Sequence, residues 1–211
     1  NGLSMQNPYW IAYRNLRLNQ KKRYMLSAQL SYDITDWLNI SGRVRVDNTH
    51  TKYEQKLYAS SNLTITEEST QGHYTISKPD ETQTYADVLA NINKRFADFS
   101  LVANVGASIV NNRYEDFSYR GPIHEKGIPN VFNVFDLDNT KKKARQDEWQ
   151  EQTQSVFASV EVGWKSMLYL TLTGRNDWAS QLANSSTPCF FYPSVGLSGV
   201  ISEMLTLPEF I

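Results

Sequence analysis

The sequence predicts an all-β fold, an antiparallel up-and-down meander that forms a segment of a large transmembrane β-barrel. Polar and apolar residues alternate in long runs, very short connections join these runs in pairs, and a long polar stretch follows each pair. Tight turns at one end of the strands and long loops at the other end are typical of outer-membrane barrels. The pairs are Tyr24–Ile34 with Leu38–Asn48, Gln83–Arg95 with Phe99–Asn111, and Gln154–Trp164 with Leu168–Asp177, and the long stretches are 49–82, 112–153 and 178–189.

The run 38–47 shows how complete the alternation is. Successive side chains of a strand point to opposite faces, so even and odd positions form different faces. The even face is apolar and the odd face is polar throughout. Each run contains about 10–12 residues, close to the ~9–11 that a tilted strand needs to cross a bilayer. The two faces are Leu38, Ile40, Gly42, Val44 and Val46 against Asn39, Ser41, Arg43, Arg45 and Asp47.

Aromatic residues flank the short connections, where the interfacial girdle of a membrane barrel would lie. A soluble β-sandwich module that binds carbohydrate or protein is the alternative, with the same aromatic residues capping its core. In the barrel the apolar face meets lipid, whereas in the sandwich it is buried against a second sheet. The aromatic residues are Trp37, Phe96, Phe99, Trp164 and Tyr169.

The short connections themselves carry a specific expectation. In an antiparallel meander, two-residue and three-residue links join neighbouring strands as tight turns. We expect 35–37, 97–98 and 165–167 to form such turns on one common side of the sheet.

Composition excludes several classes of protein. Lysine and arginine number 21 against 22 aspartate and glutamate residues, so the net charge of −1 provides no basic field for nucleic acid. No apolar run approaches the ~20 residues that a membrane-spanning helix requires. The single cysteine, Cys189, excludes an intramolecular disulfide.

Catalytic and metal sites are not predicted. His50, His73 and His124 are far apart in sequence, and none belongs to a ligand pair at short spacing. Acidic pairs such as Glu67-Glu68 are expected to be solvated loop charges rather than a glycosidase pair. The sequence has no phosphate-binding loop and no dinucleotide-binding or nucleophile-elbow motif. We therefore expect a protein that is not an enzyme and that uses no cofactor.

Both ends of the chain suggest a piece of a larger protein. Asn1 is not a methionine and no signal segment follows it, and Ile211 ends a pattern that is still producing strands. As an isolated segment with open edges and an apolar face, the chain would need detergent, associate with itself, or fold back into a compact form. The sequence leaves these three outcomes open.

Two groups of motifs resemble one known family. The C-terminal group consists of TGRNDW within Leu168–Trp178, YPSVGLS within Phe191–Ser198, and Ile201–Met204. The N-terminal group consists of Asn7–Trp10, Tyr32–Leu38 and Gly42-Arg43. Together they resemble the barrel of SusC/RagA-like TonB-dependent transporters over most of the chain. Ala179 departs from the serine that this family often has after the tryptophan, and Gly199 stands where a bulkier residue is common.

This resemblance implies a transporter of ~22 strands with a plugged lumen, in the outer membrane of Bacteroidetes-type Gram-negative bacteria. It implies import of nutrients, oligosaccharides or peptides, with energy from TonB and with a SusD-like lipoprotein as the lid. Residues 1–211 would then be about seven to eight strands of a partial TonB-dependent receptor barrel, without the plug domain and the TonB box.

Arg175 and Asp177 lie on the polar side of their run, opposite its leucines. An arginine on the lipid face costs about 2–4 kcal/mol at the bilayer midplane, so Arg175 is expected to face the lumen. We expect Arg175, Asp177 and Trp178 to form a structural network at the external rim, with Trp178 as a girdle residue. Direct contact of Arg175 with the substrate is the alternative.

The stretch 112–153 is the expected location of ligand binding. It is longer than connections normally are without a function, and binding residues concentrate on loops that a rigid scaffold holds. Its aromatic rings, asparagines and arginines suit an oligosaccharide or peptide, although packing of the loops on one another would use the same side chains. The candidate ligand-binding residues are Tyr114, Tyr119, Arg120, Asn130 and Trp149.

Overall fold

The computed structural model describes residues 6–204, among which are eight strands and two α-helices. The strands are β1 (Asn15–Thr35), β2 (Leu38–Tyr58), β3 (Gly72–Ser77), β4 (Asp80–Phe96), β5 (Phe99–Pro122), β6 (Lys143–Trp164), β7 (Leu168–Ala179) and β8 (Cys189–Gly199). The helices are α1 (Pro8–Arg14) and α2 (Ile201–Met204), and a 3₁₀ turn covers Ser180–Leu182.

The strands form one antiparallel sheet, in which neighbours in the chain are neighbours in the sheet. The exception is that β3 and β4 both pair with β2 and β5, so they are two parts of one position. Pro79 lies between them, and a proline cannot donate to the ladder. Its carbonyl oxygen still accepts from the Thr51 amide at 2.9 Å. The expected antiparallel meander is confirmed.

Short turns join the strands at 36–37, 97–98 and 165–167. The Lys165 amide donates to the Asp98 carbonyl oxygen at 2.7 Å, and the Asn93 amide donates to the Trp37 carbonyl oxygen at 2.9 Å. The first bond places the turns 97–98 and 165–167 side by side, and the second places the turn 36–37 against the end of β4 that leads into 97–98, so all three lie at the same end of the strands. The expectation of tight turns on one common side is therefore confirmed.

The chain forms two compact units, and five strands (β1, β2, β4, β5 and β6) contribute residues to both. We call them the loop unit and the turn unit after the connections that they contain. The loop unit comprises Asn1–Tyr24, Asp47–Thr82 and Arg113–Gln150, and the turn unit comprises Met25–Val46, Gln83–Asn112 and Glu151–Ile211.

The turn unit has an apolar face and a polar face. Val160 of β6 pairs with Leu172 of β7, which pairs with Val195 of β8. In the next row Leu170 pairs with Leu197. Paired residues project to the same side of a sheet, so these rows form a continuous apolar face. The face is open, since Val195 is 72% exposed and Leu197 is 76% exposed.

The loop unit has a small core of its own. Ile123 and Leu137 are each 1% exposed and form an isolated bridge. The buried Tyr74 ring lies against the Phe132 ring, with 6.0 Å between the centroids. The Ser69 side chain donates to the carbonyl oxygen of Ile123 at 2.7 Å. These contacts pack the connections 59–71 and 123–142 against each other and against β3.

Several strands are longer than the sequence predicts. β1 has 21 residues and β5 has 24, against the runs of about 10–12 that the alternation indicates. The expectation that 49–82 and 112–153 are long loops is wrong, since strand residues occupy much of both ranges. Alternation marks a strand only where its two faces meet different media. In these extensions both faces carry polar side chains, so the signal is lost.

Helix α1 is another element that the alternation does not predict. Its Pro8 occupies the first turn, and the Asn7 side chain caps it by accepting from the Tyr9 amide at 2.9 Å. Among the described residues, no helix is long and apolar enough to cross a membrane.

Gly106 of β5 lies where a larger residue does not fit. A Cβ there would be 2.6 Å from the Phe157 ring and 2.9 Å from the Val88 carbonyl oxygen, whereas a Cβ at Gly42 would have its nearest contact at 3.7 Å. We expect Gly106→Ala to lower the midpoint of thermal unfolding in detergent micelles, because overpacking typically costs about 1–3 kcal/mol. Gly42→Ala is the matched control and should change the midpoint much less. Equal midpoints for the two variants would contradict the close packing of Phe157 on Gly106.

Candidate ligand-binding surface

Two arginines surround one tyrosine on the polar face of the turn unit. The Nε and Nη2 atoms of Arg43 donate to the Asp87 carboxylate at 2.9 and 2.7 Å. The guanidinium carbons of Arg43 and Arg45 lie 5.3 and 5.4 Å from the centroid of the Tyr85 ring. Both distances are within cation–π range. The ion pair and the ring together position Arg43 on this face.

A chain of side-chain hydrogen bonds crosses the same polar face. Arg45 donates to Gln83 at 3.2 Å, and Gln83 donates to Asn112 at 2.9 Å. Asn112 in turn donates to Glu151 at 2.8 Å, and Gln181 donates to the other oxygen of Glu151. The Nε atom of Arg45 is buried and has no hydrogen-bond partner among the described residues. Side chains therefore link β2, β4, β5 and β6 in addition to the backbone ladder.

Arg175 of β7 is bound by its own strand and by β6. Its Nε donates to Asp177 at 2.7 Å, its Nη2 donates to the Ser155 hydroxyl at 2.9 Å, and its guanidinium carbon lies 5.8 Å from the centroid of the Phe157 ring. Trp178 directly follows Asp177 in β7, so strand alternation directs its side chain to the opposite face, where it is 41% exposed. The role of Arg175, Asp177 and Trp178 as a rim network stays a prediction.

The apolar face of the turn unit contains a surface cavity of about 420 Å³. Small side chains from β4 and β5 leave this space, and larger apolar side chains surround it. It suits a hydrocarbon group better than a polar ligand. Its lining includes Ala86, Val88, Ala107, Ile109, Val156 and Trp178.

In the loop unit, Tyr114 of β5 and Trp149 of β6 stack on each other. Their ring centroids are 5.5 Å apart and their planes differ by 13°. Trp149 remains 48% exposed. Arg113 donates to Glu148 at 3.1 Å and so links the same two strands one residue away. The structure thus brings together two of the five candidate ligand-binding residues, from strands rather than from a loop.

The other three candidates have separate positions. Arg120 donates to Glu67 at 2.9 Å. The side-chain oxygen of Asn130 accepts from the Ala59 amide at 2.7 Å, and Asn130 itself has a positive φ of 65°. Tyr119 lies opposite Ile76 in the register of β3 and β5. Arg120 and Asn130 therefore tie the connections of the loop unit together, and the ligand-binding role of all five residues stays a prediction.

A buried carboxylate in the loop unit was not identified from the sequence. The hydroxyl of Tyr74 donates to Glu54 at 2.7 Å, and both residues are less than a tenth exposed. This bond lowers the pKa of Glu54, while burial and the Glu54 carboxylate raise the pKa of Tyr74. A buried charge is tolerated when it is hydrogen-bonded. No sequence signal joins two residues that are twenty positions apart on different strands.

A buried histidine completes the polar interior of the loop unit. His73 is 4% exposed, and its Nε2 lies 3.6 Å from the Glu67 carboxylate. Burial lowers the pKa of His73, and Glu67 opposes this only in part. The hydrogen bond from Arg120 lowers the pKa of Glu67. At neutral pH the arrangement is a neutral imidazole beside a paired carboxylate.

The described residues contain no group of three or more histidine, cysteine, aspartate or glutamate side chains arranged to hold a metal ion. Cys189 at the start of β8 is a free thiol. The expectation that the protein uses no cofactor stays a prediction.

Comparisons with known proteins identify the architecture. Residues 1–201 match the family model described as "TonB dependent receptor-like, beta-barrel". The structure of the RagAB peptide transporter is similar with a TM-score of 0.74, at 15% identity over 92% of this chain. No curated protein sequence matches the chain.

Two further receptors of known structure have a related fold. The siderophore receptor PiuA from Acinetobacter baumannii has a TM-score of 0.53 at 13% identity over 87% of this chain. The ferric-catecholate import receptor Fiu from K12 E. coli has a TM-score of 0.50 at 7% identity over 85%. At these identities the similarity concerns the fold alone. The chain spans 21% of the RagAB chain, 30% of the PiuA chain and 30% of the Fiu chain.

We expect acid to open the region around β3. Because burial makes the pKa of His73 lower in the folded protein than in the unfolded chain, protonation favours the open form. Stability is therefore present above the ordinary histidine pKa of about 6.5 and is lost as the pH falls below it. The lowered pKa of Glu67 acts in the same direction in more acidic solution. Hydrogen exchange of the Gly72–Ser77 amides, corrected for intrinsic rates, should accelerate between about pH 7.5 and about pH 5.5.

His73→Gln is the control for this expectation, since glutamine does not titrate. It should remove the acceleration while leaving the exchange of the turn unit unchanged. Equal acceleration in the wild type and in His73→Gln would show that another group is responsible.

Proposed function

The chain belongs to the family of TonB-dependent receptor-like β-barrels, and on that premise we propose that it is part of the barrel of a SusC/RagA-like nutrient importer. The family implies the outer membrane of a Gram-negative bacterium, and we propose a Bacteroidetes-type host. The motifs TGRNDW and YPSVGLS support this subtype. The proposed role is transport, and it assigns no catalytic residues to this chain.

The two unlike faces of the turn unit are the observation that carries this proposal. Leu170, Leu172, Val195 and Leu197 present an open apolar surface, as the outer wall of a membrane barrel does. The opposite face carries ion pairs and hydrogen-bonded amides, which suit a hydrated lumen. A soluble β-sandwich would bury the apolar face against a second sheet, and neither these exposures nor the family supports that alternative.

We propose that residues 1–211 supply one part of a larger barrel wall. The RagAB chain is several times longer, since this chain spans 21% of it. The plug domain and the TonB box would be supplied by other parts of the parent protein. Energy coupling then depends on TonB, and lid closure depends on a SusD-like lipoprotein.

An oligosaccharide or a peptide is the proposed substrate. We take the peptide as the first substrate to test, because the RagAB protein of similar fold is a peptide transporter. We propose ligand contact through the loop unit, with Tyr114 and Trp149 as the main contacts and Tyr119 as a separate contact farther along β5. Arg120 and Asn130 would contribute by holding the connections around the ligand, and Arg175, Asp177 and Trp178 would form the rim network.

Deleting the gene of the intact protein from its host should abolish growth on one class of peptide or oligosaccharide as the sole nutrient. Deleting TonB should have the same effect, because the import would be energy-coupled. Growth on nutrients that need no receptor is the control. A strain without the protein that grows normally on every peptide and oligosaccharide would contradict the proposed function.

The connection between Ile123 and Leu137 offers a more local test. Replacing residues 125–135 by a short glycine-serine turn preserves the Ile123–Leu137 bridge and removes much of the connection. We expect uptake by the intact protein to fall strongly while the barrel still inserts, because surface loops tolerate change better than strands. Ala97→Gly in a short turn, where φ is already 46°, should leave uptake unchanged. Normal uptake by the loop variant would place specificity elsewhere.

A further inference from the structure

We propose that Tyr114 and Trp149 form a binding site for a cationic group of the imported ligand, an ammonium or a guanidinium, so that basic peptides bind better than neutral ones. This inference rests on the proposed import function and names the substrate class more narrowly. It depends on a rigid aromatic surface and on the charges that surround it.

The aromatic surface is rigid because two paired strands support it. The stacked rings are 5.5 Å apart, and the Arg113–Glu148 ion pair at 3.1 Å joins the same strands one residue away. Trp149 is nevertheless 48% exposed, so much of its ring is available to a ligand. Tryptophan is the aromatic side chain that attracts cations best.

Acidic side chains surround this surface. Asp116 follows Tyr114 by two positions, and Asp147 precedes Trp149 by two, so strand alternation places both carboxylates on the same side as the rings. Asp116 is held in place by the Ser77 hydroxyl at 2.8 Å. Strand alternation therefore places both carboxylates on the side of the sheet from which a cation would approach the rings, Asp116 as a buried charge and Asp147 with 37% of its side chain exposed.

The charges that act on the Tyr114 hydroxyl are mainly negative. Burial raises the pKa of Tyr114 most, and the carboxylates Asp116, Asp147 and Glu81 raise it further, whereas Arg145 lowers it. Arg145 is itself paired with Asp147 at 2.6 Å. Of the charged side chains that shift this pKa, three are carboxylates and one is a guanidinium, so the field at the Tyr114 hydroxyl is mainly negative.

This field discriminates among ligand chemistries. A neutral sugar can stack on an aromatic ring, but it gains nothing from the surrounding negative charge. An anionic group is repelled by that charge. A cation gains from the ring quadrupole and from the carboxylates together, which makes the amine or guanidine of a basic peptide the best match.

Binding of tetralysine and of its Nε-acetylated form to the intact protein in detergent micelles tests the inference. The two peptides have the same backbone and differ in side-chain charge. Tetralysine should bind at least about threefold more tightly. Trp149→Ala should weaken tetralysine binding by roughly threefold to thirtyfold, the range expected for loss of a cation–π contact, and Trp149→Phe should restore part of it. Neither change should affect the acetylated peptide comparably.

Two further variants keep the test independent of any folding defect. Glu81→Gln keeps the shape of the side chain and removes one charge, so it should weaken tetralysine binding and not acetylated-peptide binding. Phe191→Ala, which removes a ring that is 65% exposed on β8 of the turn unit, is the matched control and should change neither. Equal binding of the two peptides to the wild type, or tetralysine binding that is unchanged in both Trp149→Ala and Glu81→Gln, would overturn the inference. Import of neutral peptides or oligosaccharides without charge preference would overturn the inference while leaving the importer role intact. Normal growth of a strain without the protein on every peptide and oligosaccharide would overturn the importer role itself.

Discussion

The rest of the structure depends on one constraint, which is that the two faces of the sheet meet different surroundings. In a bilayer each backbone polar group must bond within the protein, so paired strands with apolar side chains are one of the few solutions. The rows that join Val160, Leu172 and Val195 meet this requirement with a continuous ladder beneath them. Because polar and apolar residues alternate within the turn unit, most polar side chains of these strands there are directed to the opposite face. Their concentration there makes the hydrogen-bonded chain from Arg45 to Glu151 possible.

The polar face depends on packing as much as on charge. Phe157 points to this face and lies under the guanidinium of Arg175. The same guanidinium donates hydrogen bonds to Asp177 and Ser155. The ring has room only because Gly106 faces it from β5. A glycine in a strand usually weakens the strand, and here it marks the close approach of an aromatic ring. The absence of a side chain at Gly106 thus supports, through Phe157 of β6, the position of the Arg175 guanidinium two strands away.

The loop unit is held together by a different balance of forces. Its apolar core is small, and buried polar groups with specific partners add to it, such as Glu54 with Tyr74 and Ser69 with the Ile123 carbonyl oxygen. Leaving such a group without its partner costs more than the bond contributes, so each pair specifies one arrangement of the connections. The stacked Tyr114 and Trp149 belong to strands that this arrangement supports. A ligand would therefore meet a preformed surface, which reduces the entropy lost on binding.

The sequence by itself determined the meander, the short turns and the two faces of the turn unit, because alternation depends only on residues two positions apart and on the different media that they face. Only the tertiary structure decided the extensions of β1, β2, β5 and β6, the existence of β3, and the meeting of Tyr114 with Trp149. In these regions both faces of a strand are polar, so no period marks them. Their partners also lie far away in the sequence: Glu54 and Tyr74 are twenty residues apart, and Arg120 and Glu67 are fifty-three apart. Contacts of this kind arise from strand register, and register is a property of the assembled sheet rather than of any local run of residues.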